Sequence, residues 1–183
     1  MMQAAIASPL ASWANFYVII GSAAAALTGL MFVVVTLIAG LRSQRSSGSL
    51  AAFGTPNVVH FCAALFIAAA LSAPWQELWT AGFIIGLCGL AGVGYVVIVL
   101  RRTIRLDSYE PVMEDWLWHV TIPFISYTAL IVAGLLLSSY PMPSLFCIGA
   151  VMILLLFVGI HNAWDTLTYI AIEHYPLEDK SQD

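Results

Sequence analysis

Apolar positions along this chain do not alternate with polar ones. They run on, and polar or charged residues gather between the runs. Four stretches hold no Asp, Glu, Lys or Arg: 1–41, 46–76, 78–100 and 116–164. A helix that is apolar all round and about 20 residues long matches the hydrocarbon core of a bilayer. The last stretch is broken by Ser138-Ser139-Tyr140-Pro141-Met142-Pro143, where two prolines stop one helix and start the next. The pattern predicts an all-α integral membrane bundle of five transmembrane helices, at roughly 14–40, 57–74, 80–100, 116–138 and 143–169. Between the first two lies a polar loop, Arg42 to Ser49, followed by Thr55-Pro56 as cap and first-turn proline. Residues 175–183 form a short acidic tail.

Composition narrows the class further. Of 183 residues, 61% are hydrophobic and 9% charged, with a mean hydropathy of +0.93. Five spans use about 110 residues, so 1–183 reads as a single transmembrane domain with no room for a soluble catalytic one. Residues 1–41 carry no charge and their apolar run exceeds a signal peptide's core, so the first span is expected to be retained. Cys62, Cys88 and Cys147 are odd in number and form no C-x-x-C pair, and they suit buried packing.

Charge sets the orientation. Arg42, Arg45, Arg101, Arg102, Arg105 and Lys180 all follow spans one, three and five, and none falls on the other side. Short cytoplasmic loops keep Lys and Arg, so these topology anchors place the N-terminus outside and the C-terminus in the cytoplasm. Aromatic residues fall at both expected interfaces: Trp13, Phe16, Tyr17, Trp75, Trp79 and Tyr140 outside, Phe53, Trp116, Trp118, Trp164 and Tyr169 inside.

Two constellations carry candidate chemistry. Helices in lipid associate through close packing, which small side chains permit. Gly21, Ala25 and Gly29 in span one, and Gly82, Gly86 and Gly89 in span three, offer such faces, either within the monomer or to a second subunit. The other constellation is His60, His119 and His161, which three different helices carry to a similar depth, with Asp165 one turn from His161. Together they suit a metal or haem site, or a proton relay, with Asp165 behind the imidazole. No H-E-x-x-H or E-x-x-H pair demands this, and residues so near an interface better suit packing or headgroup contact. Pro123 cannot donate to the carbonyl of His119, which must find another partner in lipid. An offset of 59 aligns His60 with His119 and Cys88 with Cys147, the mark of a parallel two-hairpin repeat if it is genuine.

In span one, Trp13-Ala14-Asn15-Phe16-Tyr17, with Gly21, Ala23 to Leu27, Thr28-Gly29-Leu30 and Phe32-Val33, resembles the opening helix of a group of small uncharacterised bacterial polytopic membrane proteins. The resemblance covers one helix. It implies a bacterial inner membrane and brings no activity, cofactor or catalytic residues.

The expected protein is therefore multi-pass and non-enzymatic, with no catalytic residues and no cofactor. It packs or oligomerises through its helices, with a small permeation path as a variant of that role. The alternative is a haem, transition-metal or proton-relay site on the histidines of helices two, four and five. Its partners are the lipid bilayer and a second copy or another membrane protein; with no basic, aromatic-rich patch, nucleic acid is excluded. Fusion reporters placed after Arg42, Arg105 and Lys180 are expected to signal from the cytoplasm, and one at Pro74 from outside. Opposite compartments for the Arg42 and Arg105 reporters would overturn this topology.

Overall fold

The computed structural model describes residues 9–41, 47–104 and 113–174, and all of its regular structure there is helical. A short 3-10 helix, Pro9–Trp13, leads into α1 (Ala14–Leu41), followed by α2 (Ser47–Ser72) and α3 (Leu78–Ile104). The fourth helix, α4 (113–136), consists of an α turn Met113–Trp116, a π-helical turn Leu117–Thr121 and an α-helix Ile122–Leu136. The last, α5, runs Pro141–His174. Four segments are long and apolar enough to cross a membrane: Pro9–Leu37, Leu78–Arg101, Leu117–Leu136 and Pro141–Asp165. The expected second span differs from these. Among the described residues its apolar stretch is Asn57–Ser72, shorter than the other four.

Helix ends follow local chemistry. Pro74 cannot continue α2, and the Trp75 indole N–H donates to the Ala70 carbonyl at 2.6 Å, satisfying one of the helix's last acceptors. At the end of α4, the backbone N–H groups of Ser139 and Tyr140 both reach the Leu136 carbonyl, at 3.1 and 2.8 Å. Pro141 then opens α5 at a position that needs no N–H donor. Both connections are short, so α2–α3 and α4–α5 each reverse direction. We call the two ends of the bundle the Pro141 end and the Arg101 end.

Packing order departs from chain order. Extensive contacts join α1 to α2, α2 to α5, α5 to α4 and α4 to α3, whereas α2 and α3 touch far less. The helices thus form an arc, α1–α2–α5–α4–α3, with α5 the most buried and α1 and α3 at its edges. The weak α2–α3 contact beside the extensive α4–α5 one means that the two hairpins of the suggested repeat are not built alike. The main core gathers Ile67, Leu71, Ile85, Leu130, Leu145, Ile148 and Met152. A smaller cluster of Ala24, Met31, Phe61, Ala64 and Leu156 fastens α1 to α2 and α5. Outward positions carry large apolar side chains, such as Val18, Phe32, Phe83, Leu135 and Phe157, with Leu135 76% exposed. A continuous apolar exterior of this kind suits lipid and would associate in water.

The small-residue faces divide in a way that simple spacing does not anticipate. On α3, Gly82, Gly89 and Gly92 are buried. A Cβ at Gly89 would come 2.7 Å from the Tyr127 carbonyl oxygen, and one at Gly134 on α4 would come 2.6 Å from that of Gly82. Gly86 lies among them, yet a Cβ there would meet nothing within 4 Å, and its backbone rather than its side is what Gly134 approaches. On α1 the predicted stripe splits: Gly21 is buried, and a Cβ there would come 3.1 Å from that of Ala68, but Ala25 and Gly29 face outward. The reason is geometric. Steps of four residues overshoot the 3.6-residue turn by about 40° each, so Gly29 points about 80° away from Gly21. Gly134→Val is expected to destabilise the fold by about 1–3 kcal/mol through overpacking. Gly94→Ala, where a Cβ would meet nothing within 4 Å, should be close to neutral. Unfolding titrations in detergent would show the contrast, and equal stability of the two variants would contradict the packing described.

Candidate functional site

The polar side chains buried in this bundle concentrate toward the Arg101 end. On α2, Asn57, His60, Phe61 and Ala64 share one face at intervals of three and four, and all are buried. His60, 2% exposed, places Nδ1 2.9 Å from the hydroxyl oxygen of Tyr127 on α4. Either the phenol O–H donates to Nδ1 or the Nδ1–H donates to the phenol oxygen, according to the tautomer. The Tyr127 ring occupies the space where a Gly92 side chain would stand, so any residue larger than glycine at position 92 would displace it. One tyrosine therefore ties α2, α3 and α4 together.

A second group is organised by the π-helical turn. The Ile122 N–H donates to the carbonyl of Leu117, five residues back, and Pro123 follows at the start of the α-helical part of α4. Widening the helix just before a proline, which has no N–H to give, lets the helix carry on without a break. The Thr121 hydroxyl donates to the Trp116 carbonyl at 3.1 Å. This turn lays the Trp118 ring on that of His161 from α5, with centroids 3.9 Å apart and planes 11° from parallel. One turn along α5, Asp165 Oδ2 lies 3.1 Å from His161 Nδ1, as the four-residue spacing predicts.

Two contacts fix the depth of the polar side chains. The ring of Phe61 packs where a Gly159 side chain would be, between antiparallel α2 and α5. Asn57 lies one turn before Phe61, and Asn162 about one turn after Gly159, so the two buried amides fall at the same level. The Trp118–His161 stack brings the π turn, and with it His119, to that level too. Asn57, His119, His161 and Asn162 thus form one polar layer, and the His60–Tyr127 pair stands about one turn deeper. His119 lies within electrostatic reach of His60.

Of the residues that the sequence singles out, His119 and His161 share a layer, Asp165 sits beside His161, and His60 engages a tyrosine instead of the other imidazoles. Among the described residues, no three His, Cys, Asp or Glu side chains gather as a metal-binding group. Arg101 is exposed at the end of α3. Arg42, Arg45, Arg105, Lys180, the side chain of Arg102 and the acidic tail 175–183 lie outside the described residues. Sequence reasoning passes over Asn57, the Tyr127 phenol as partner of His60, and Trp118 as the surface beneath His161. Only Asn57 leaves a local signal, as an amide three residues before a histidine in an apolar run.

Both polar atoms of the Asn57 side chain, and Nδ1 of His119, are buried with no hydrogen-bond partner among the described residues. Comparison with known proteins adds nothing to this geometry: no family model, curated protein or solved structure matches the chain. Tyr127→Phe is expected to cost about 0.6–2 kcal/mol, as interhelical hydrogen bonds in membranes do. Paired with His60→Phe in a double-mutant cycle, its effect should be clearly less than additive. Strict additivity in bicelle unfolding would show that the two side chains do not interact.

Proposed function

We propose that this chain is a multi-pass inner-membrane protein that crosses the bilayer five times, with its N-terminus outside and its C-terminus in the cytoplasm. On this reading it is non-enzymatic, acting by helix association with a second copy of itself through the outward face of α1. The one-sided distribution of arginines supports the orientation. Four helices long and apolar enough to cross a membrane support the setting, with α2 joining them as the fifth span.

One observation carries the association. Ser22, Ala25, Ala26 and Gly29 are all exposed along α1 at intervals of three and four, and a Cβ at Gly29 would meet nothing within 4 Å. Other outward positions carry bulky side chains, such as Leu87 and Leu90 on α3 and Phe157 on α5. A strip of small residues lets two helix backbones approach closely, and dispersion and backbone contact then replace the hydrophobic drive that lipid does not supply. A symmetric pair brings each residue of such a strip near its own counterpart. The face on α3 cannot serve this purpose, since Gly82, Gly89 and Gly92 are consumed within the monomer.

In a cysteine-free background, Ser22→Cys and Gly29→Cys are expected to cross-link as dimers on oxidation in native membranes, and Leu87→Cys is not. Adding Ala26→Leu should abolish both cross-links. Equal cross-linking at Leu87, or no effect of Ala26→Leu, would remove α1 from the interface. A second reading, a proton relay at the polar end, is favoured by the buried His60–Tyr127 hydrogen bond.

A further inference from the structure

The polar layer offers more than a set of histidines. Asn57 is 1% exposed, and neither its amide oxygen nor its amide nitrogen has a hydrogen-bond partner among the described residues. His119, from the helix across the layer, likewise leaves Nδ1 buried and unpartnered. A primary amide has two N–H donors and a carbonyl acceptor, and an imidazole has one of each when neutral. In a lipid-facing bundle an unsatisfied group of this kind is strongly unfavourable, and a small polar molecule reaching it would supply the missing partner. The chemistry of the layer selects which molecule. The Asn57 amide presents two donors and an acceptor with no formal charge, so it suits a neutral, hydrogen-bonding guest rather than an ion. Water meets that description, and a polar recess with several partners is where buried water settles.

The layer has a floor. Phe61 packs on Gly159 and Tyr127 packs on Gly92, so aromatic rings fill the space on its far side between α2 and α5 and between α3 and α4. His60 stands at that boundary, three residues and thus about one turn beyond Asn57 on the same face, with Nδ1 turned to Tyr127.

We propose that Asn57, His119 and Asn162 line a water-filled vestibule that opens toward the Arg101 end and lets His60 exchange protons with that side alone. The ring nitrogen not engaged with Tyr127 gives one hydron to water and receives another, with no net change of charge. Tyr127 closes the path. This rests on the proton-relay reading in part only, since exchange with water requires no flux across the membrane.

The test is water-to-histidine magnetisation transfer in solid-state NMR of the full chain, labelled with nitrogen-15 histidine, in lipid bilayers. The His60 signal is identified by its loss in His60→Phe. It should receive water magnetisation at a rate similar to His119. Asn57→Leu should slow that transfer several-fold. His119→Phe should do the same, and it breaks no hydrogen bond at Nδ1 that could upset folding. An unchanged His60 chemical shift marks an intact Tyr127 pair in either variant. A His60 signal that receives nothing from water, or one unaffected by both substitutions, overturns the vestibule. Proteoliposomes containing pyranine, driven by a potassium diffusion potential with valinomycin, test the relay separately. A hydrated His60 without proton flux supports the vestibule and removes the relay, whereas flux past a dry His60 overturns the vestibule and leaves the relay standing.

Discussion

Lipid supplies no hydrogen bonds, and every polar group inside these helices has to be accommodated under that constraint. Several hydroxyls turn back on their own backbone. Thr28 donates to the Ala24 carbonyl, Ser126 to that of Ile122 and Thr128 to that of Phe124, each at 2.8 Å and four residues back. Such groups cost little and link nothing. Side chains that cannot bend back are forced to look across to another helix, and His60 is the clearest of them. Its bond to Tyr127 holds α2 against α4, and the tyrosine is in turn held by the glycine opposite it on α3.

Close backbone approach does for the apolar surfaces what that bond does for the polar ones. Between α3 and α4 the glycines face each other directly, Gly82 and Gly86 on one side and Gly134 on the other. Hydrophobicity alone does not bring two such helices together, because the tails around them are equally apolar. Shape does so. Where α1 meets α2 the contact is looser, with room for a Cβ on Gly21 to stand 3.1 Å from that of Ala68, and the outer side of α1 carries small residues left exposed among the described residues.

Much of the fold is legible in the sequence because the signal is one of length and composition. The helices expected at roughly 14–40 and 80–100 run Ala14–Leu41 and Leu78–Ile104, and Pro141 and Pro143 mark the start of α5. Neighbour relations are far less legible. Gly21 and Gly29 look equivalent in a list of small residues, yet they part by about 80° around the axis, and only a partner helix shows which one is used. Pro123 does announce a local disturbance, but its resolution as a π-helical turn, with Trp118 brought onto His161, depends on α5 lying alongside. Likewise Asn57 is an unremarked amide until Phe61 and Gly159 set its depth. The candidate site was half visible, as residue types at a plausible depth, and half hidden in the order of the helices.

That order bears on how the protein is made. A ribosome feeds the helices to the insertion machinery one after another, so α1 meets α2 and α3 meets α4 while the chain is still being synthesised, forming two hairpins with little to hold them to each other. Both hairpins need α5, which follows them in the chain and packs on α2 and on α4. The bundle therefore closes only when α5 enters the bilayer: until then the four helices before it are a pair of loosely tethered halves with their inward faces uncovered.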